Sequence, residues 1–260
     1  MSTIVMKFGG ASVATPESFL NIAKIIQKRR KKYSRIVVVI SAMQNMTDSL
    51  ISLAHKINED PPKREIDMLI SVGERISISL LAMALAKLNI PAISFTGSQC
   101  GILTCDNHSD AKIIDIRPVR LLRHLERNDV VIVAGFQGVS NKKEITTLGR
   151  GGTDTSAVAL AIALGASKVE FFKDVEGIYS EDPKKNPKAV KYDELTYPDA
   201  INIMEKGAKV LHKRCVYLAE KNGIKLHIMS FKSFFDGQIE PTGSIIGNEA
   251  VRSTIALYEQ

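Results

Sequence analysis

"TIVMKFGGAS", residues 3–12, decides how the rest of the chain is read. Thr3 to Phe8 is apolar and β-branched enough for a strand, and it runs directly into Gly9, Gly10 and Ser12. Two glycines can make a tight turn and nothing more. Exposed amides beside a cation, here Lys7, also make a seat for phosphate. The remainder of the chain has to separate the two.

Short apolar runs alternate with helical stretches throughout. Ile4 to Phe8, Ile36 to Ser41, Ala92 to Phe95, Val130 to Ala134, Val169 to Phe172 and Leu226 to Met229 read as strands. Helices are expected near Pro16 to Lys32, Thr47 to Lys56, Arg64 to Leu88, Pro118 to Arg127, Thr153 to Leu164, Tyr197 to Glu205 and Ala208 to Lys221. This alternation predicts an α/β fold: a mainly parallel central sheet with helices on both faces. Glu59 to Lys63, with Pro61 and Pro62, is the clearest loop between helices. Without repeats, low-complexity tracts or a flexible linker, one compact unit with two lobes is expected. Ile245-Ile246 and Thr254 to Leu257 look like strand fragments near the end.

A chain of 260 residues, 45% of them hydrophobic, can bury a sizeable core and is not composed like a disordered one. Apolar runs such as Ile36 to Ile40 and Ala157 to Leu164 are too short to span a bilayer, and no basic-then-apolar leader opens the chain. A cytoplasmic location without a membrane partner is therefore expected. Cys100, Cys105 and Cys215 show no CxxC spacing, and the five histidines form no HExxH pair, so neither a disulfide framework nor a protein-held metal is expected. The net charge of +7 peaks at Lys28 to Lys32, which ends an amphipathic helix and suits its dipole as a solvated terminus. Nucleic acid is not needed to explain it; an enzyme acting on polyanionic nucleotides fits equally.

No GxxxxGK[ST] loop, HRD or DFG occurs, so phosphate would be handled by other means. "TLGRGGTD", Thr147 to Asp154, enters a helix N-terminus where free amides favour an anion. Arg150 offers a fork of donors to a carboxylate or phosphate there, while Thr153 and Asp154 could equally be helix caps. Glu74 sits inside an apolar helix, where an unpaired carboxylate is costly. Either Arg75 or another cation satisfies it, or it waits for a cationic ligand group. "FFKDVEGIYSEDPKKNP", from Phe171, is a polar loop at a strand's carboxyl end, where open α/β sheets bind ligands.

Taken in order, KFGGAS, SAMQNMTD, SVGER, GFQG, TTLGRGGTDTSAV, KDVEGIYSEDP and GAKVLH resemble the aspartokinases of the amino acid kinase family, over nearly the whole chain. The resemblance implies the amino acid kinase fold, a three-layer sandwich. Residues 1–250 would be the catalytic domain, with a substrate-binding N-lobe and a nucleotide-binding C-lobe. Residues 251–260 would be a stub of linker toward ACT-type regulatory domains. It implies transfer of phosphate from ATP, carried with Mg²⁺, to the side-chain carboxylate of L-aspartate, the first step toward lysine, threonine and methionine. Lys7 and Asp154 would be catalytic, with Asp154 orienting the lysine. Lys7, Phe8, Gly9, Gly10, Lys173, Asp174, Tyr179, Lys184, Lys209 and Val210 would hold the nucleotide. Ser41, Thr47, Glu74, Phe136, Arg150, Gly151, Gly152 and Thr153 would grip aspartate, with Glu74 on its ammonium and Arg150 on its α-carboxylate. A homodimer is compatible with this reading.

Three positions depart from the pattern: Ala11 where Thr is common, Lys173 where Thr precedes the Asp, and Lys213 where Pro follows the His. The first two bear on nucleotide affinity. Two alternatives stand beside the aspartokinase reading. One is another carboxylate, carbamate or nucleoside-monophosphate kinase of the same fold, against which Glu74 and Arg150 in their contexts argue. The other is a nucleotide-binding regulatory partner without turnover, against which Lys7, Asp154 and Lys209 argue.

Overall fold

The computed structural model describes residues 2–183, 186–208, 210–235, 242–247 and 256–259. Strand β1 (Thr3–Phe8) leads through one 3-10 turn into helix α1 (Pro16–Arg29), whose start is fixed by Pro16 and a reciprocal Thr15–Ser18 capping box. Next come β2 (Arg35–Ile40), α2 (Met46–Ile57), α3 (Lys63–Ile70) and α4 (Val72–Lys87). The middle of the chain forms β3 (Ala92–Phe95), β4 (Ile102–Thr104), β5 (Ile113–Ile116), α5 (Val119–Glu126), β6 (Val130–Ala134), β7 (Gln137–Ser140) and β8 (Ile145–Thr147). Helix α6 (Gly152–Ala163), β9 (Lys168–Lys173), β10 (Ile178–Tyr179), β11 (Lys191–Tyr192), β12 (Glu194–Leu195) and α7 (Tyr197–Glu205) follow. Helix α8 (Lys213–Asn222), β13 (Lys225–Ser230), α9 (Phe231–Phe235) and β14 (Ser244–Ile246) complete the series.

All six strands expected from the sequence lie in one eight-stranded sheet of order β12-β14-β13-β9-β1-β2-β6-β3. From β13 to β3 every pairing is parallel; β14 runs antiparallel to β13. The sheet separates two apolar cores. Ile4, Met6 and Phe8 of β1 pack with α1 and α4 on one face, whereas Val5 belongs to the core under α6 and α8. Period-two alternation thus assigns Lys7 to the α6 face. In β9 the same alternation places Phe171 on the α6 face and Phe172 on the other, where its ring stacks on Phe8 at 4.4 Å.

Several features were not legible beforehand. A second sheet of order β5-β4-β7-β8 and the β10-β11 pair are built from strands of two to four residues, too short to display alternation. The helix expected from Arg64 to Leu88 is two helices meeting at Ser71, whose hydroxyl donates to Met68 O while its carbonyl accepts from Gln137 Nε2. Contrary to the expectation about apolar runs, Lys63–Lys87 taken together is long and apolar enough to cross a membrane, by length and composition. Half of its apolar stretch is buried inside the protein, as a core helix pair would be. Helix α8 begins at Lys213 rather than Ala208: His212 is extended and its Nδ1 accepts from the Arg214 amide as the N-cap, while Gly207 at φ +108° follows the end of α7. Of the suspected terminal fragments, Ile245-Ile246 lies in β14, Thr254 and Ile255 lie outside the described residues, and Ala256 and Leu257 form no strand.

The basic end of α1 is not simply solvated. Arg29 is buried, and its Nε donates to Glu170 Oε2 at 2.8 Å, while Lys168 Nζ approaches Glu170 Oε1 at 2.9 Å. Glu170 is a β9 residue on the α1 face, almost wholly buried, so this one carboxylate is shared between a buried guanidinium and a partly exposed ammonium. Glu170→Ala would remove the buried carboxylate that Arg29 and Lys168 share, and the unfolding free energy is expected to fall by about 3–5 kcal/mol. Urea denaturation gives the test; a loss under about 1 kcal/mol would mean that this carboxylate contributes little to the fold.

Candidate active site

Lys7 leaves β1 on the α6 face, and what it meets is the first turn of α6. Its Nζ lies 2.6 Å from Asp154 Oδ1, and Lys173 Nζ, from the end of neighbouring β9, donates to Asp154 Oδ2 at 3.0 Å. Lys7 and Asp154 are buried. Burial alone would raise the Asp154 carboxyl, but Lys173 and Lys7 outweigh it and hold it down to about 2. Burial also lowers the Lys7 ammonium, against the pull of Asp154. Two cations around one anion leave the cluster net positive at the carboxyl ends of the parallel strands. Neither Thr153 nor Asp154 caps α6: the N-cap is Gly151, and no side-chain cap bond is made there.

The turn before α6 is shaped by glycine. Gly151 sits at φ +73°, and a Cβ on it would lie 2.3 Å from His212, so only glycine admits the close packing of that ring. Arg150 is exposed on this turn. Phe136 adopts φ +68° although it is not glycine, and its amide donates to Ser156 Oγ of α6 at 3.1 Å, which ties the end of β6 to the helix.

Glu74 occupies the first turn of α4. It is 2% exposed, its Oε1 accepts from the Ala42 amide at 3.0 Å, and its Oε2 is buried with no partner. Arg75 makes no ion pair with it. Burial pushes the carboxyl up to about 7, opposed by the Ala42 amide and by Lys7. A second close approach serves this arrangement: a Cβ on Gly73 would fall 2.7 Å from Ala42 Cβ.

These parts enclose a cavity of about 660 Å³. It is lined by every residue expected to grip the acceptor, Ser41, Thr47, Glu74, Phe136, Arg150, Gly151, Gly152 and Thr153, and by Lys7, Gly10, Ala11 and Asp154. The residues expected to hold a nucleotide are placed differently. The Phe8 side chain is core, which leaves only its backbone to face a ligand; Gly9 turns its carbonyl to the Ser12 hydroxyl at 2.6 Å. Lys173 joins through Asp154, whereas exposed Asp174, half-buried Tyr179 and half-buried Val210 do not line this cavity. Tyr179 OH donates to Glu176 at 3.4 Å. Lys184 and Lys209 lie outside the described residues. Ala11 lines the cavity, and Lys213 lies at the surface facing Glu205 at 3.4 Å.

One residue escaped the sequence reading. Asp67 of α3 is fully buried; it accepts from Thr147 Oγ1 at 2.6 Å and from the amides of Thr147 and Ser109 at 3.1 Å, with His108 Nδ1 at 2.7 Å. It fixes the end of β8 just before the glycine turn. The signal was present as a lone acid in "EIDMLI", the same pattern that drew attention to Glu74.

Comparison with known proteins identifies the family and the fold. The model of the amino acid kinase family matches residues 2–230. Aspartokinase of Mycobacterium tuberculosis is 48% identical over 240 residues, 92% of this chain and 57% of that protein. Aspartokinase of Thermus thermophilus is 43% identical over 239 residues, 92% of this chain and 59% of that protein. The chain thus spans little more than half the length of these curated relatives. Among solved structures, aspartate kinase from Synechocystis superposes with a TM-score of 0.87 at 41% identity, over 100% of this chain and 42% of that one. E. coli aspartokinase III in complex with aspartate and ADP gives 0.84 at 27% identity, over 96% of this chain and 65% of that one.

The raised Glu74 carboxyl has a measurable consequence in the ligand-free protein. Its folded value, about 7, lies above the ordinary 4.5. The folded state therefore holds a proton that the unfolded state has lost between these values, and stability falls as pH rises through that window. Glu74→Gln removes the effect, so its stability relative to wild type should climb from pH 4.5 to 7 and then level off, by on the order of 3 kcal/mol. Urea titrations at pH 5 and pH 8 give the difference, and a pH-independent one would mean that Glu74 ionises as an ordinary surface acid.

Proposed function

This chain belongs to the amino acid kinase family, and from that premise we propose that it transfers the γ-phosphoryl group of ATP to the side-chain carboxylate of L-aspartate, giving 4-phospho-L-aspartate. The observation that carries this reading is Glu74: a buried carboxylate oxygen without a partner, in a cavity that also holds Arg150 and the Lys7–Asp154 pair. An α-amino acid has the complementary charges. Its ammonium satisfies Glu74, its α-carboxylate takes the Arg150 fork, and its side-chain carboxylate is left for the phosphoryl donor. The bound aspartate and ADP named for the E. coli aspartokinase III structure support this pairing of substrates.

The chemistry asks for position and charge rather than proton transfer. A carboxylate is already ionised at neutral pH, so the nucleophile needs no general base. Asp154, held down to about 2 by its lysines, is unfit to be one. Its work is to hold Lys7 in place, so that an ammonium faces the phosphoryl group whose charge spreads over its oxygens during transfer. The backbone at Gly9 and Gly10 and the Lys173 ammonium complete an anion seat at the strand ends. Mg²⁺ would travel with the nucleotide and neutralise its phosphates. Its ligands would be phosphate oxygens, since Asp154 is committed to two lysines.

Turnover of ATP with L-aspartate, L-glutamate, N-acetylglutamate or UMP as acceptor, with hydroxylamine to trap an acyl phosphate, tests class and substrate together. Hydroxamate formed with aspartate alone is the expected result; turnover with UMP, or none with any acceptor, would overturn the proposal. Lys7→Met should reduce the rate by roughly two to three orders of magnitude. Its circular dichroism should stay native, because Asp154 keeps Lys173 as a partner. Glu74→Gln should raise KM for aspartate far more than KM for ATP, and equal changes would return Glu74 to a structural role.

A further inference from the structure

The glycine turn that carries Arg150 is gripped from two sides, and the second grip comes from the far end of the chain. Arg214, on the first turn of α8, has a side chain only 17% exposed. Its Nη1 donates to Leu148 O, one residue before Gly149, and its Nη2 donates to Ala111 O. Nε and Nη2 together fork onto the two carboxylate oxygens of Glu259, the second bond at 2.7 Å.

Glu259 is itself docked. Its Oε2 accepts from the Ile113 amide at 2.9 Å and its own amide donates to Ile113 O at 3.0 Å. Two residues earlier, Leu257 exchanges a pair of hydrogen bonds with the Asn222 side chain, at 2.8 and 2.9 Å. Tyr258 packs against the core between them. The carboxylate of Glu259 is what makes a poorly hydrated guanidinium tolerable at this spot. The other acid near Arg214, Asp110, is 3.8 Å away with a side chain 79% exposed, and pairing with it would draw the guanidinium toward solvent. Leu148 has no slack to absorb such a change: its side chain is fully buried and its amide donates to Phe136 O at 2.9 Å. The direction of its carbonyl therefore fixes how the chain enters Gly149 and Gly151.

We propose that Arg214 and Glu259 are positioning residues for the Arg150 turn, and that docking of residues 256–259 sets the affinity of the cavity for its acceptor carboxylate. Naming that acceptor as aspartate rests on the function proposed above; the mechanical coupling does not. Loss of a charge-assisted bond of this kind costs enough to change an affinity roughly tenfold.

The test uses Glu259→Gln, Arg214→Met and the double variant in the 260-residue chain. Hydrogen–deuterium exchange on the ligand-free proteins reads the coupling without any substrate. Exchange at residues 148–152 should quicken in both single variants while β6 stays protected. In the turnover assay KM for aspartate should rise roughly tenfold and KM for ATP less than twofold. The double variant should be no worse than Arg214→Met, since Glu259 acts through Arg214. Unchanged exchange at 148–152, equal rises in both KM values with a lowered Tm, or additive effects in the double variant would each overturn the proposal. If the wild-type chain does not turn over aspartate, the functional reading fails and the exchange arm alone decides this one.

Discussion

The site is organised by one buried electrostatic arrangement, two ammonium groups on a single carboxylate. Lys7, Asp154 and Lys173 come from β1, α6 and β9, and each placement depends on the fold. Lys7 and Lys173 share a face because β1 and β9 are parallel neighbours in a register that pairs Lys7 with Phe171, two residues before Lys173. Asp154 reaches both because the first turn of α6 lies over the carboxyl ends of those strands. At low dielectric such a cluster is costly with its net positive charge unanswered, and the cost falls when an anion arrives. On the proposed function, burial is what would give the cluster its affinity for phosphate: the same three residues on a wet surface would be screened to little effect.

Much of this was legible in the sequence, for reasons that also explain what was not. The central parallel strands are buried on both faces and read as near-continuous apolar runs, so Val130–Ala134 was found to the residue; the partly buried edge strand Ala92–Phe95 was also found to the residue. The residues that line the cavity were flagged by glycine-rich stretches and by Glu74, an acid in apolar surroundings. The small sheet was missed because three or four residues cannot show a period. Arg29 was misjudged because helix periodicity says nothing of a partner on a strand 141 residues away. The same holds for Arg214 and Glu259, whose importance lies in what they bring together. A pairing between distant segments leaves no mark in either one alone.

Asp67 and Glu74 make an instructive pair, two acids buried at the same junction of α3 and α4. Asp67 is saturated: hydroxyl, amide and imidazole groups take both of its oxygens, and its effect is to fix Thr147 and Ser109. Glu74 has one amide and an orphaned oxygen. Burial is the same problem for both, so the difference lies in what each was left to meet. A saturated carboxylate such as Asp67 holds its protein partners and asks for no ligand; one that is dry and half satisfied is costly until a cation is supplied.

That difference accounts for the ordering of events expected at the site. Glu74, raised to about 7, is partly protonated in the empty cavity at neutral pH. An ammonium ligand favours its ionised form, so binding expels a proton and relieves a strain that the folded protein otherwise carries. Arg150 is exposed and free of that constraint; what it lacks is a fixed position, which the turn supplies from both sides. On one side Asp67 holds Thr147, and on the other Arg214 holds Leu148. On the proposed function, recognition of a zwitterion would divide between a carboxylate made receptive by dryness and a guanidinium made selective by the rigidity of the backbone beneath it. The first depends on α4 staying packed against Ala42. The second extends through α8 to the segment at residues 256–259, which draws the end of the described chain into the geometry of a cavity formed mostly by its first 154 residues.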